Sequence, residues 1–164
     1  MIRAGVIGLG VMGKRHVRVW RTIPGVELVA VADTDAAAVS EVVLSGPTTG
    51  YATYELMLRA AWATSLDLVS VVVPTSLHAE VVFAALQAGC HVLVEKPIAM
   101  NRAEARGMVK VAQATGKILS VGHIERFNPA VRDLKRRLEA GEQGHTYEIH
   151  TSRSGPFPER IRDV

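Results

Sequence analysis

MIRAGVIGLGVMG, residues 1–13, is the stretch on which the rest of this chain is organised. Its apolar residues up to Ile7 predict a strand that is buried on both faces. The strand breaks directly into the glycine loop, residues 8–13, and a helical pattern follows from Val11. Strand, glycine loop and helix in this order are the context in which G-x-G-x-x-G indicates a dinucleotide-binding site. A glycine-rich turn without a ligand is the alternative interpretation.

Each position of this loop has a predicted task in holding a pyrophosphate. Gly8 permits the tight turn, Gly10 lets the backbone approach the phosphates, and Gly13 allows the helix to pack closely on the strand. Val11 and Met12 lie at the helix N-terminus, where unpaired backbone N–H groups and the positive end of the helix dipole attract an anion. These five residues are therefore predicted cofactor contacts.

Composition limits the class of protein to which the chain can belong. With 164 residues and a hydrophobic content of 48%, it has room for one buried core and the beginning of a second domain. Charges interrupt its apolar runs, and glycines stand where the apolar part of a signal peptide would lie. We therefore expect a cytoplasmic protein without a membrane span. The single cysteine, Cys90, excludes an internal disulfide and is expected to be buried.

The charge distribution suits a small anionic ligand better than a nucleic acid. A formal net charge of +3 is too small and too spread out to predict binding to DNA or RNA. One basic run, residues 132–137, falls on a helix that Asn128 and Pro129 are expected to begin. Acidic neighbours dilute this run and no aromatic residues interleave with it, so we interpret it as a solvated helix face. The six histidines show no metal-ligand spacing.

Strand and helix patterns alternate from the glycine loop to residue 121. This order predicts an α/β fold, a doubly wound parallel sheet with helices on both faces. A last stretch, 145–152, alternates in the manner of a strand and is predicted to begin a second, α+β domain. The predicted strands after the first cover 26–32, 49–52, 67–73, 91–94 and 118–121, and the predicted helices cover 11–21, 35–44, 54–62, 77–88 and 102–115.

Candidate binding and catalytic residues stand where the predicted strands end. In a doubly wound sheet, ligands bind in the crevice beyond the carboxyl ends of the strands. We therefore expect one crevice to be lined by the residues at these ends, which are Gly8, Asp33, Pro74, Glu95, Lys96 and Gly122.

Asp33 ends the second predicted strand, 25 residues after Gly8. A carboxylate at this point accepts hydrogen bonds from both ribose hydroxyls of an adenosine, and its charge repels a 2′-phosphate. The residue therefore favours NAD over NADP as the cofactor. The alternative role of Asp33 is that of a helix N-cap, for which Asp35 is the better candidate.

Three runs of sequence carry a resemblance to a known family: VVVPTSLH (71–78), AAL (84–86) and GCHVLVEKP (89–97). With the glycine loop and Asp33, they make the chain up to residue 122 similar to the Gfo/Idh/MocA family, whose hallmark is the Glu-Lys-Pro tripeptide. The resemblance implies a Rossmann domain over residues 1–122 and an NAD(P)-dependent dehydrogenase of sugars or cyclitols. The stretches 121–131 and 153–158 resemble the branch that includes UDP-N-acetylglucosamine 3-dehydrogenases, which oxidise the C3 hydroxyl of a UDP-linked amino sugar.

Oxidation of a secondary alcohol needs a hydride acceptor and a group that takes the hydroxyl proton. The cofactor supplies the first, and Lys96 is the candidate for the second. Its ammonium can stabilise a developing alkoxide, and a neutral lysine can act as a base. The resemblance implies that Lys96 works with a histidine, and often an aspartate, from the second domain. A surface lysine that follows a strand is the alternative.

The resemblance also assigns further cofactor contacts. It places the loop from Pro74 and Thr75 to His78 under the adenosine and ribose side of the cofactor. Glu95 and Lys96 are predicted as further cofactor contacts. An exposed histidine at the start of a helix is the alternative for His78.

Three residues are assigned to the reacting end of the site. His123 follows a predicted strand end and is expected to contact the nicotinamide or the substrate, with a hydrogen-bonded core histidine as the alternative. Arg126 and Arg153 are predicted substrate contacts, since a guanidinium pairs well with phosphates and hydroxyls. A bridge between the two domains, made with Glu125, is the alternative for Arg126.

Residues 123–164 are predicted to form a linker helix and the start of a truncated second domain. In the family this domain is an open sheet that forms the substrate wall and commonly the oligomer interface, so a homo-oligomer is implied at full length. We expect the 164-residue chain to bind NAD without turning over a sugar. A non-catalytic dinucleotide-binding or sensing module is the alternative function, and the retention of Lys96 argues against it.

Overall fold

The computed structural model describes residues 1–152 of the chain, apart from the side chains at 61–64. By its internal contacts the chain divides into two compact units, Met1–His123 and Ile124–Val164. The predicted substrate contact Arg153 and the stretch 153–158 lie outside the described residues.

The first unit is built on a six-stranded sheet in which every pair of neighbouring strands is parallel. Its strands are β1 (Ile2–Ile7), β2 (Val26–Ala32), β3 (Thr49–Tyr51), β4 (Leu68–Val71), β5 (His91–Val94) and β6 (Leu119–Val121). The order across the sheet is β3-β2-β1-β4-β5-β6, which is that of the Rossmann fold. The predicted doubly wound α/β architecture is confirmed, and the strand order reverses between β1 and β4, where such sheets bind their ligands.

Five α-helices connect these strands within the described first unit. They are α1 (Val11–Trp20), α2 (Ala36–Leu44), α3 (Tyr54–Thr64), α4 (His78–Gln87) and α5 (Arg102–Thr115), with a 3₁₀ turn at Thr75–Leu77 before α4. Among the described residues, no helix combines the length and the apolar character needed to cross a membrane.

Local contacts set the helix ends at several predicted positions. The Asp35 carboxylate accepts hydrogen bonds from two backbone N–H groups in the first turn of α2. The side chain of Asn101 accepts one from the N–H of Glu104, whose carboxylate in turn accepts from the Asn101 amide at 2.7 Å. Gly116 ends α5 in the left-handed conformation, with φ +66°. These ends follow from residues close in sequence, which is why they were predictable.

The sheet is covered by helices on both faces, and β1 shows this most clearly. Val6 and Ile7 are neighbours in the strand and point to opposite faces, yet both are buried. A strand buried on both faces has no side that faces water, and the buried part of β1, residues 4–7, is accordingly apolar throughout. Val6 packs in a cluster with Val17 and Val42 of α1 and α2, whereas Ile7 belongs to the larger cluster that includes Met57, Val82 and Met108 of α3, α4 and α5.

The second unit contains a 3₁₀ turn, Ile124–Phe127, and helix α6, Pro129–Glu139. As predicted, Asn128 caps α6 by accepting a hydrogen bond from the N–H of Ala130, and Pro129 takes the first helical position. The predicted strand at 145–152 is wrong, since these residues form no regular strand. An alternating pattern becomes a strand only where another strand offers backbone partners, and the described part of this unit has none.

The basic run on α6 is paired with acidic side chains of its own helix and of the turn after it. Asp133 contacts Arg136 at 3.0 Å and Arg137 at 2.8 Å, and Arg136 also reaches Glu142 at 2.9 Å. Exposed pairs of this kind contribute little to stability. They do offset the positive charge that a nucleic acid would need, which supports the interpretation of this run as a solvated helix face.

Cys90 should resist alkylation in the folded chain. The side chain is fully buried, and burial raises the pKa of its thiol to about 11. At pH 8 roughly one thiol in a thousand is then a thiolate, the form that reacts. Because folding raises this pKa, the buried neutral thiol makes its full contribution to the free energy of unfolding below the unfolded pKa of about 8.5. That contribution is lost as the pH rises towards 11.

Iodoacetamide labelling at pH 8, followed by mass spectrometry, measures this resistance. The native chain should remain unmodified over a period in which the urea-unfolded chain is fully labelled. Equal labelling of the two would show that Cys90 is accessible.

Candidate functional site

Backbone hydrogen bonds bring the residues that follow the strands to one edge of the sheet. The N–H of Gly8 donates to the carbonyl of β2 at its last residue, at 2.9 Å. The N–H groups of Asp33, Val72, Glu95 and Gly122 donate in the same way to the neighbouring strand, at 3.2, 2.8, 3.0 and 2.8 Å. The loops that begin at these residues therefore start side by side at the carboxyl edge.

Two of the three loop glycines are required by the protein itself. Gly8 has φ +91°, and a Cβ built on it would lie 2.6 Å from the carbonyl oxygen of Val72. A Cβ on Gly13 would lie 1.9 Å from the carbonyl oxygen of Gly8. Both contacts are far too short, so the loop closes tightly against the chain after β4, and α1 closes tightly against the loop.

Gly10 differs from the other two, because a Cβ built on it would meet no described atom within 4 Å. Its backbone is extended, with φ −61° and ψ −169°, a conformation open to any residue. No side chain caps the N-terminus of α1, and no acidic residue stands in its first turn. The space above Gly10 therefore faces free backbone donors and the positive end of a helix, which fits the phosphates of a dinucleotide.

The Asp33 carboxylate lies between the glycine loop and the start of α2. Its Oδ2 accepts a hydrogen bond from the N–H of Leu9, and its Oδ1 accepts one from the N–H of Asp35 at 2.8 Å. Asp35, and not Asp33, caps α2, so the alternative role of Asp33 as the helix cap is wrong. A carboxylate has about four acceptor sites, so both oxygens retain capacity for ribose hydroxyls.

The loop after β4 is held from below by His78. This residue begins α4 as predicted, but it is 1% exposed, so the alternative of an exposed histidine is wrong. Its Nδ1 lies 2.9 Å from the carbonyl oxygen of Pro97, and its Nε2 lies 3.0 Å from that of Val73. The geometry supports a role in joining two loops of the crevice, while a contact between this ring and the cofactor stays a prediction. Pro74 and Thr75 precede it in the same loop, at the start of the 3₁₀ turn.

Lys96 follows β5 with an exposed side chain, and its peptide bond to Pro97 is cis. The N–H of Lys96 donates to Oε2 of Glu95 at 3.0 Å. The Glu95 side chain is 12% exposed, so its carboxylate is largely taken out of solvent. The expected pair is therefore present at the edge of the sheet, with the lysine outward and the carboxylate inward.

Sequence reasoning missed His16, which lies on α1. Its Nε2 is 3.2 Å from Oε1 of Glu95, and its Nδ1 is 3.1 Å from the hydroxyl oxygen of Ser70 on β4. The indole N–H of Trp20 donates to the same hydroxyl at 2.8 Å. One signal was present: His16 and Trp20 are four residues apart and share a helix face. Their partners lie 50 to 79 residues away, and no local pattern points to them.

Two further predicted site residues, His123 and Arg126, fall in different units of the chain. His123 lies two residues after the end of β6 and is exposed, so the alternative of a core histidine is wrong. Its contact with the nicotinamide or the substrate stays a prediction. Arg126 is exposed in the 3₁₀ turn of the second unit. Within the described residues, no group of three or more His, Cys, Asp or Glu side chains is arranged to hold a metal ion.

Comparison with known proteins identifies the family to which these residues belong. The profile of the Gfo/Idh/MocA family, described as an oxidoreductase family with an NAD-binding Rossmann fold, matches residues 2–123. This range coincides with the first compact unit, which carries the glycine loop, Asp33 and Lys96.

Individual relatives come from more than one kind of dehydrogenase. The UDP-N-acetylglucosamine 3-dehydrogenase of Acidithiobacillus ferrooxidans is 33% identical over 163 residues, which are 99% of this chain and 49% of that protein. The scyllo-inositol 2-dehydrogenase (NAD(+)) of Bacillus subtilis is 33% identical over 146 residues, 87% of this chain and 42% of that protein.

Solved structures show the same likeness in three dimensions. The WlbA dehydrogenase from Chromobacterium violaceum, in complex with NADH and UDP-GlcNAcA, matches with a TM-score of 0.81 and 30% identity, over 87% of this chain and 41% of that one. The chain spans about half the length of the curated relatives it matches. It belongs to the Gfo/Idh/MocA family of oxidoreductases with an NAD-binding Rossmann fold.

Proposed function

We propose that this chain forms the cofactor-binding part of an NAD-dependent dehydrogenase that oxidises a secondary hydroxyl of a sugar or nucleotide sugar. One observation carries the proposal: no described protein atom requires residue 10 to be a glycine, whereas Gly8 and Gly13 are each required by a backbone contact. The missing side chain at Gly10 therefore serves a ligand, and that ligand lies against the N-terminus of α1.

Different residues at this edge are proposed to bind different parts of the cofactor. Gly10 and the first turn of α1, including Val11 and Met12, receive the pyrophosphate. Asp33 receives the adenosine ribose, and its negative charge opposes a 2′-phosphate, which supports NAD over NADP. Pro74 and Thr75 border the adenosine side. When bound, the nicotinamide supplies the acceptor for the hydride that leaves the substrate carbon.

Lys96 is proposed to handle the proton of the substrate hydroxyl. As an ammonium it stabilises negative charge on the oxygen, and as a neutral amine it accepts the proton. Glu95 immediately precedes Lys96 after β5, and His123 lies after the neighbouring strand β6. Both are proposed to border the nicotinamide. Arg126 and Arg153 are proposed substrate contacts.

The proposed substrate is UDP-N-acetylglucosamine, oxidised at C3. The similarity to the Acidithiobacillus enzyme named for this activity extends over 99% of the chain, beyond the cofactor-binding unit, whereas the similarity to the Bacillus inositol enzyme extends over 87%. The WlbA structure adds a structural relative whose complex contains UDP-GlcNAcA together with NADH.

Replacement of Lys96 by methionine should separate cofactor binding from chemistry. We expect NAD affinity, measured by calorimetry on this chain, to remain within about threefold, because Lys96 acts on the substrate. In a form extended to the length of the relatives, NADH formation at 340 nm should fall by roughly 10²–10⁴-fold. Lys110→Met, an exposed lysine on α5, is the matched control and should change neither quantity.

Parallel assays with UDP-N-acetylglucosamine, the free sugar and the inositols identify the substrate class. We expect NADH with the nucleotide sugar. Equal activity of Lys96→Met and wild type would contradict the proton role. Tight NAD binding with no turnover of any of these substrates in the extended form would favour the non-catalytic dinucleotide-binding module.

A further inference from the structure

The segment that carries Lys96 is held by histidines from two different helices. On one side of the lysine, the carboxylate of Glu95 lies 3.2 Å from Nε2 of His16 on α1. On the other side, the carbonyl oxygen of Pro97 lies 2.9 Å from Nδ1 of His78 on α4. The backbone from which the Lys96 side chain projects is thus fixed at the residue before it and at the residue after it.

The contact through His16 is the end of a directed chain of hydrogen bonds. The indole N–H of Trp20 can only donate, so the Ser70 oxygen accepts from it. Ser70 is completely buried, and its own proton has the Nδ1 of His16 as its described acceptor. The Nε2 of His16 then carries the ring proton and donates it to Oε1 of Glu95. The chain therefore assigns one tautomer to His16.

This chain of hydrogen bonds holds the Glu95 carboxylate in its position. The side chains of His16 and Glu95 are 14% and 12% exposed, so water offers the carboxylate few alternative donors. Its second oxygen accepts the N–H of Lys96 at 3.0 Å. A Cβ on Gly122 would lie 3.2 Å from Oε1, so the residue that follows β6 also packs closely against the carboxylate. A buried carboxylate that lost its donor would pay a large desolvation cost and would move.

Helix α1 joins this contact to the glycine loop. The helix begins directly after Gly10, whose open side faces the space for the phosphates, and His16 lies within its second turn. A rigid helix therefore carries the anion-binding N-terminus and the group that holds Glu95. The anion-binding end of α1 is thus connected to Lys96 by two contacts, from His16 to Oε1 of Glu95 and from Oε2 of Glu95 to the N–H of Lys96.

We propose that His16 is a positioning residue for Lys96, which it holds through the Glu95 carboxylate while α1 binds the cofactor phosphates. The inference rests on the proposed function, in which Lys96 serves the reaction. His78 supports the same segment from the opposite side.

Two substitutions of His16 separate its two hydrogen bonds. The amide of glutamine reaches as far along the side chain as Nε2 and can still donate to Glu95. The amide of asparagine reaches only as far as Nδ1, so it can meet Ser70 but not Glu95. The two variants, His16→Gln and His16→Asn, form a matched pair that retains a polar amide at the same helix position.

Hydrogen exchange at the backbone amide of Lys96, followed by NMR on the 164-residue chain, reports the position of the carboxylate that this amide contacts. We expect exchange at least tenfold faster in His16→Asn and within about twofold of wild type in His16→Gln. The amides of β4, which a general loosening of the fold would also expose, should be unchanged in both. In the wild type, nitrogen-15 shifts of the His16 ring should show the Nε2–H tautomer.

Equal exchange at Lys96 in both variants and wild type overturns the proposal, and so does an equal increase in both variants. Should His16→Asn fail to fold, Glu95→Gln provides the second test, because its one amide oxygen then faces two donors. Unchanged exchange at Lys96 in that variant also contradicts the proposal. Calorimetry with NAD on the same samples is independent: absence of binding to wild type refutes the proposed function and leaves the exchange result standing.

Discussion

Gly10→Ala should fold as stably as the wild type and bind NAD at least tenfold more weakly. The backbone at residue 10 suits any amino acid, and the added methyl group would meet no described protein atom within 4 Å. Stability should therefore change by no more than about 0.5 kcal/mol. The methyl group would instead occupy the space through which a pyrophosphate approaches the N-terminus of α1, and a tenfold loss corresponds to about 1.4 kcal/mol.

Gly13→Ala, in the same loop, should instead destabilise the fold. Its Cβ would lie 1.9 Å from the carbonyl oxygen of Gly8, so the backbone of the loop or of α1 must move. We expect a loss of about 3 kcal/mol in the free energy of unfolding, the upper end for overpacked sites. In a chain of this size, the melting temperature should fall by roughly 6–12 °C.

Calorimetry with NAD and thermal unfolding of both variants decide between the two interpretations of the loop. Adenosine, which has no phosphate, should bind wild type and Gly10→Ala alike. If Gly10→Ala binds NAD as the wild type does, the loop is a structural turn and the proposed pyrophosphate site is wrong.

Asp33→Asn should lower the preference for NAD over NADP by at least tenfold. The wild-type carboxylate accepts from the N–H groups of Leu9 and Asp35 and has further acceptor sites for two ribose hydroxyls. Asparagine has nearly the same shape, but it replaces one acceptor oxygen with a donor and removes the charge that repels a 2′-phosphate. NAD should therefore bind more weakly and NADP no more weakly than before.

Asp35→Asn is the matched control for this experiment. It removes the same charge two residues away, and asparagine caps a helix about as well as aspartate does. Any general effect of charge on a polyanionic ligand appears in both variants, whereas a ribose contact appears only in Asp33→Asn. Calorimetry with both cofactors gives the two ratios, and equal ratios in the two variants would remove Asp33 from the ribose site.

Features that depend on neighbouring residues were predictable from the sequence. The apolar run of β1 indicated burial on both faces. Asp35 and Asn128 indicated helix starts, because a cap interacts with backbone only two or three residues away. The expected convergence of strand ends also held, because parallel strands connected by helices must all end at the same edge.

The misassigned stretch at 145–152 shows the limit of local pattern. Its alternation satisfies one requirement of a strand, namely two faces of different polarity. The other requirement is a neighbour that pairs with the backbone, and no local feature of the sequence supplies one. Among the described residues of the second unit, that neighbour is missing.

The sequence by itself determined the Rossmann order of elements, the glycine loop, the helix caps and the place of Lys96 after β5. Only the tertiary structure decided what those residues touch. It showed that protein contacts require a glycine at positions 8 and 13 but not at position 10. It also placed His78 next to two carbonyl groups and His16 next to Glu95, 79 positions away in the chain. The physical reason is that capping and periodicity act within one or two turns, whereas hydrogen bonds between buried side chains depend on which distant elements the sheet brings together.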